Sequence, residues 1–380
     1  MKFDKVSRIF SSSMNMDWIL FFAILPLMFF GLVTMGSFNG ENYLASKQII
    51  WIIISLATFF IFSTIDWRFL KRSDILVAMF VTSCVLLTGL FLAQSIKGAR
   101  SWFDLGSMSL QPADFTKIIL ILILAKYFSR RHIEIANIKH IVISGVYAFI
   151  PFVLILLQPA LGSAMIMFFI WLGMITVSGV SKKHLLAVFL IGLTCFGILW
   201  TTVLKPYQKD RIFTFIDKQQ DVSGAGYNAF QSQIAVGSGQ LFGKGIGYGT
   251  QSRLQFLPEY QTDFIFAAFA EEWGFIGVVA LFFFFGVVIW RILYNSFRGS
   301  GNFETLFGVG LAVFFMSHFV VNVGMNMGLL PVTGITLPFI SYGGSHLLAE
   351  FAGLGILMGM RKYSRATHRD NMKNEFLGPI

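Results

Sequence analysis

At 380 residues, with 56% hydrophobic and only 13% charged side chains and a mean hydropathy of +0.71, the chain carries far more apolar surface than one soluble core can hide, so lipid is its main solvent. The formal net charge of +10 would suit a nucleic-acid partner only if the basic residues gathered on one face or helix, and here they mark the ends of apolar runs instead. Cys84 and Cys195 both stand inside long apolar segments, which excludes a disulfide framework and a thiolate metal site.

In chain order, Lys2, Lys5 and Arg8 precede a stretch that resembles a signal peptide until it is measured. From Trp18 to Gly36 it is long enough to span, and no small-x-small cleavage site follows, so it reads as the first span. Further apolar runs predict helices over 48–65, 75–93, 113–128, 141–157, 160–179, 185–204, 265–290, 305–328 and 347–360, each near the roughly 20 residues a bilayer requires. Pro151 and the Gln158-Pro159 pair interrupt the run from Ile141 to Gly179, which favours two crossings with a tight outer turn. The fold class expected is an all-α polytopic membrane protein of about ten transmembrane helices: a tail over 1–17, one membrane domain over 18–360 and a second tail over 361–380.

The short loops set the orientation. Arg68, Lys71, Arg72, Lys126, Arg130, Arg131, Lys139, Lys182, Lys183, Arg291, Arg298, Arg361 and Lys362 fall on one side with the amino terminus, which places both termini in the cytoplasm. Three unusual segments then share the outer side: the connection around Arg100 to Lys117, the long loop over 205–262, and the Gly/Pro/Ser-rich stretch from Leu330 to Ser345. No solenoid or inverted-repeat period is evident.

Ionisable residues at membrane depth are costly, so each is a functional candidate unless a structural partner explains it. Asp263 opens the eighth span in Leu-Pro-Glu-Tyr-Gln-Thr-Asp, where it reads either as a helix cap or as a general base at the water boundary. Glu271, eight residues on and roughly 12 Å along an ideal helix, either lines the same cavity at greater depth or pairs with a neighbouring helix. Asp114 and Lys117 stand close enough in angle to pair, with Lys117 as a phosphate contact the functional alternative. His318, Asn322 and Asn326 recur every four residues and draw a polar stripe that suits interhelical hydrogen bonding. No second His or carboxylate stands at metal-site spacing near His318. The glycines around Lys244 fail a Walker motif, because Ser238 takes its first glycine position and Gly245 replaces the Ser or Thr after lysine. The stretch reads as a phosphate cradle or as a plain surface loop.

Four longer strings occur in order: GARSWFDLGSMSLQPADFTK from Gly98, YNAFQSQIAVGSGQLFGKGIGYGTQ from Tyr227, LPEYQTDFIFAAFAEEWGFIG from Leu257 and LPVTGITLPFISYGGS from Leu330. Together they resemble the SEDS proteins of shape, elongation, division and sporulation, which include RodA and FtsW. The resemblance implies a ten-helix glycosyltransferase that polymerises lipid II, the undecaprenyl-pyrophosphate-linked disaccharide-peptide, on the outer face of the bacterial cytoplasmic membrane. It places the essential acid on Asp263 and the family's tryptophan and basic residue on Trp102 and Arg211. Glu259, Gln261 and Ser341 lie in the matching motifs as further substrate-side candidates, with Asp114 and Glu271 in support. Members work with a class B penicillin-binding protein, which supplies transpeptidation. Pro331-Val332 and the short tails are more similar to the RodA, elongation and rod-shape branch than to the FtsW, division branch. Two departures stand out: Ala160 occupies a commonly acidic position, and Asp114 replaces a usual glutamate.

The residues and the resemblance meet on one reaction, attack of an acceptor sugar 4-hydroxyl on the donor's anomeric carbon with loss of a lipid pyrophosphate. A single inverting displacement needs a base but no second carboxylate, so Ala160 is compatible with it. Lys117, Arg211, Lys244 or a divalent cation such as Mg2+ or Mn2+ are the open choices for the leaving charge. The rival readings are a flippase for the lipid-linked precursor, supported by the polar stripe and Glu271, and a scaffold that only recruits partners.

Overall fold

The computed structural model describes residues 16–37, 43–93, 100–104, 106, 109–130, 138–202, 209, 213, 215, 225–299 and 301–377. Each of the ten predicted runs is helical: α1 Trp18–Gly36, α2 Tyr43–Thr64, α3 Ser73–Gly89, α4 Pro112–Ser129, α5 Ile138–Leu157, α6 Leu161–Val177, α7 Lys182–Thr202, α10 Ile265–Phe297, α11 Asn302–Asn326 and α12 Gly344–Leu377. Among the described residues, six helices are long and apolar enough to cross a membrane: α1, α2, α3, α5, α10 and α11. Two further helices, α8 Ala225–Ser238 and α9 Thr250–Arg253, lie in the predicted long loop, and a short antiparallel hairpin pairs β1 Phe103–Asp104 with β2 Ser109–Leu110. The last helix runs on to Leu377, well past its expected end at residue 360, so the predicted tail begins as helix.

Local chemistry sets the helix starts. The Asp17 carboxylate caps α1 by accepting from the Leu20 N–H at 3.1 Å, and Pro112 begins α4, where its missing N–H costs nothing. The centre of the bundle is α4 with α11. Thirteen of the 18 residues of α4 are buried, all round the helix, and α11 packs against α4, α6, α10 and α12. Peripheral helices instead turn Val77, Val81, Val85, Val142, Phe149, Leu186 and Phe189 outward, an apolar belt suited to lipid.

The two ends of the bundle differ. One gathers Asp17 with Arg291 (2.6 Å), Asn295 (2.6 Å) and Arg361 (3.3 Å), and Glu304 with Lys71 (2.6 Å), while Lys126 donates to the Lys71 carbonyl. Lys71, Lys126, Arg291 and Arg361 among these are residues predicted to face the cytoplasm. The opposite end brings together the last turns of α1 and α11, the turn before α10 and the loop before α12, through the contacts described next.

Candidate active site

The turn Pro258–Phe264 is built on Leu257, which is buried with Ala235, Phe264 and Ala267. Glu259 adopts φ 55° there; its carbonyl accepts from the Thr262 and Phe264 N–H groups and its carboxylate from the Thr262 hydroxyl at 3.0 Å. Glu259 therefore shapes the turn from an exposed position. Gln261 reaches the Met35 carbonyl at the end of α1 and the Tyr260 hydroxyl, and burial pushes the Tyr260 phenol above its ordinary range.

Asp263 follows, half-buried. The helix after it starts at Ile265, and its N-cap is Phe264, with no side-chain capping bond. Asp263 thus stands one residue before the N-cap position rather than on it. Its backbone is gripped. The Gln261 carbonyl accepts from the Tyr342 N–H (2.8 Å), the Thr262 carbonyl from the Ser341 hydroxyl (2.7 Å), and the Asp263 carbonyl from the side-chain amides of both Asn322 and Asn326 (3.0 Å each). Ser341 also accepts from the Leu337 N–H at 2.8 Å, so it ties the loop before α12 to this turn. In that loop Gly334 sits with φ +71° so close that a Cβ there would lie 3.3 Å from Asp263 Oδ2. Gly334 is exposed, and it marks the open side of the carboxylate.

Deeper in the bundle lies a buried ionic cluster. Lys117 Nζ stands 3.0 Å from Asp114 Oδ1 and 3.3 Å from His318 Nε2, with 1% of the lysine side chain exposed. Asp114 also accepts from the Ser345 hydroxyl (3.2 Å) and meets His346 Nδ1 (3.2 Å), and His346 Nε2 lies 3.0 Å from Glu350. Glu350 in turn accepts from the Phe339 N–H, and His318 Nδ1 faces the Thr336 carbonyl. The loop before α12 is thus held from below by this cluster and from above by the Asp263 turn. Sequence reasoning found the Asp114–Lys117 pair but missed Ser345, His346 and Glu350. The signal was present, since His346 and Glu350 are ionisable residues four apart in an apolar helix.

Glu271 and Lys244 pair with each other. Glu271 is fully buried and its Oε1 accepts from Lys244 Nζ (2.7 Å), the Thr250 hydroxyl (3.0 Å) and the Gln251 N–H (3.2 Å). Of the two alternatives for Glu271 the structure shows pairing, with a lysine of the glycine-rich loop rather than with a neighbouring helix. The glycine stretch is neither cradle nor plain loop: the Lys244 and Gly245 N–H groups donate to the Glu271 and Glu272 carbonyls, and Gly247 N–H to the Glu272 carboxylate. It clasps a kink in α10 at Gly274, whose φ of 65° interrupts the helix and where a Cβ would run into the backbone of Gly243, Leu241 and Phe242. Gly274→Ala is expected to cost more than about 1 kcal/mol, the usual strain of a non-glycine residue at positive φ, and to lower the thermal midpoint of the purified protein. An unchanged midpoint would remove the kink from the account.

Trp102 is half-buried just before β1, and β2 packs against α12, which sets the hairpin beside the same loop. Arg211 lies outside the described residues. Among the described residues no group of three His, Cys, Asp or Glu side chains is placed to hold a metal ion. Asp114, Glu271 and Glu350 are committed to Lys117, Lys244 and His346.

Fold and site together define a polytopic helical membrane protein that presents the Asp263 carboxylate among converging loops at one end of its bundle. A family model described as "Cell cycle protein", FTSW_RODA_SPOVE, matches residues 12–366, and the chain belongs to that family. It is 33% identical to stage V sporulation protein E of Bacillus subtilis, covering 92% of this chain and 98% of that one. It is 33% identical to the peptidoglycan glycosyltransferase MrdB of Escherichia coli, covering 95% and 96%. Among solved structures, a chain of a peptidoglycan synthase complex that coordinates polymerization and crosslinking superposes with a TM-score of 0.78 at 30% identity, covering 92% of this chain and 98% of that one.

Proposed function

We propose that this chain is an inverting glycosyltransferase that polymerises lipid II into glycan strands, and that its site faces outward from the bacterial cytoplasmic membrane on a bundle of ten crossings with both termini inside. The observation that carries the proposal is Asp263: a half-buried carboxylate one residue before the N-cap of its helix, aimed at an exposed glycine among the loops of a chain whose relative is a peptidoglycan glycosyltransferase. A sugar hydroxyl is a weak nucleophile, and a carboxylate within hydrogen-bond reach removes its proton as the new bond to the anomeric carbon forms and the bond to pyrophosphate breaks. Lys117 and Lys244 are spent on Asp114 and Glu271. Of the groups considered for the leaving charge, this leaves Arg211 and a divalent cation carried in with the pyrophosphate. The side chains build no resident metal site among the described residues, and no step is assigned to one.

The features that favoured a flippase have other work here. Glu271 pairs with Lys244, and Asn322 and Asn326 hold the Asp263 carbonyl, so neither lines a free path. A crosslinking partner, a class B penicillin-binding protein, is supported by the likeness to the synthase complex. A role in elongation rests on Pro331-Val332; it predicts that expression restores rod shape to cells depleted of their elongation polymerase, and restored division without rod shape would reassign it. The test of activity is reconstitution of the purified chain with its cognate transpeptidase and labelled lipid II, with products resolved by size. Glycan polymer is expected; lipid II that changes leaflet without polymer would install the flippase instead.

A further inference from the structure

The polar stripe on α11 does more than join helices. The carbonyls of Gln261, Thr262 and Asp263 precede the first turn of α10 and take hydrogen bonds from other elements. Asp263 receives two. Asn322 Nδ2 and Asn326 Nδ2 each stand 3.0 Å from its carbonyl oxygen, and both asparagines are fully buried. The same Asn322 amide donates to the Ile335 carbonyl at 2.6 Å, beside the Gly334 that faces the Asp263 carboxylate. One side chain therefore fixes both walls of the gap in which the carboxylate stands. Asn326 is bound to Asn322 through the Asn322 carbonyl (2.9 Å) and is held from outside by Ser232 on α8. The Ser232 hydroxyl lies 2.9 Å from the Asn326 carbonyl and 3.1 Å from its Oδ1, and Ser232 is also fully buried.

We infer that Asn322, Asn326 and Ser232 are positioning residues for Asp263: they fix its carbonyl, hence the plane of the following peptide and the direction of its side chain, and they carry that setting from α8 of the long loop. The inference rests on the reading of Asp263 as the base. An amide that donates to a carbonyl cannot be replaced by the isosteric carboxylate, which places acceptor against acceptor. Misplacement of a reacting group by about 1 Å costs on the order of 100-fold in rate.

The experiment measures initial polymerisation rates against lipid II concentration for the full chain with its cognate transpeptidase, normalised to the folded fraction. Asn322→Asp and Asn326→Asp are expected to lower kcat roughly 10- to 100-fold with KM within about twofold, the signature of an interaction that matters in the transition state. Ser232→Ala is expected to lower kcat less, and Ser232→Thr, which keeps the hydroxyl, to restore it. A merely structural role would lower the folded fraction and leave kcat per folded molecule unchanged, and that result overturns the inference. If the asparagine variants do not fold, the Ser232 pair decides: Ser232→Ala with wild-type kcat overturns it. Asp263→Asn, run in parallel, separates the two readings. An active Asp263→Asn enzyme removes the base itself, whereas an inactive one beside fully active Asn322, Asn326 and Ser232 variants removes only the positioning.

Discussion

Asp263→Asn is expected to abolish glycan polymerisation, with a rate loss of about 10²- to 10⁴-fold, while the protein folds and binds lipid II as before. The amide keeps the size and the acceptor oxygen of the carboxyl but cannot take a proton. Fold is spared because the N-cap of α10 is Phe264, whose side chain makes no capping bond, and the Asp263 carbonyl that α11 grips is unchanged by the substitution. The check is product length from labelled lipid II with partner-bound enzyme, alongside the thermal midpoint. Long glycan from a folded Asp263→Asn enzyme would sink the assignment. A milder outcome belongs to Gly334→Ala, which sets a Cβ at positive φ 3.3 Å from the carboxylate and is expected to slow the same step without removing the base.

The helices were legible because each is an apolar run of nearly bilayer length, and the capping and proline signals sit where the helices start, as at Asp17 and Pro112. The kink at Gly274 was not, because Trp273-Gly274-Phe275 lies inside the stretch predicted as a single helix and only the backbone angle reveals the break. The glycine spacing around Lys244 misled for a physical reason: N–H groups arranged to meet oxygen serve a helix kink as well as a phosphate. On α11 the spacing of His318, Asn322 and Asn326 showed a stripe, but its partners are carbonyls far away in sequence, at Asp263, Ile335 and Thr336, which no periodicity can name. His346 escaped because the last helix was begun at 347, just past it and the glycine-rich loop, whereas Glu350 lay inside that predicted helix and was passed over.

The second large effect belongs to that cluster. Asp114 is the anion that Lys117, Ser345 and His346 share, at 3.0, 3.2 and 3.2 Å, and its side chain is 3% exposed. Asp114→Ala leaves a buried ammonium facing His318 with no anion at hydrogen-bond distance in its place, and breaking a buried pair from one side costs about 3–5 kcal/mol. The expected result is a large fall in thermal midpoint and in yield of monodisperse protein. Asp114→Leu combined with Lys117→Met is expected to be less damaging than Asp114→Ala alone, because it removes the stranded charge as well as the pair. A double variant as unstable as the single one would mean that Asp114 acts through Ser345 and His346 rather than through Lys117. The site feels the loss through the chain. Ser345 and His346 begin α12 and end the loop that carries Gly334 and Ser341, so releasing them loosens the wall facing Asp263 and the clasp on Thr262 together. Activity should therefore fall at temperatures where most of the Asp114→Ala protein is still folded, and a rate that tracks the folded fraction alone would confine the cluster to stability.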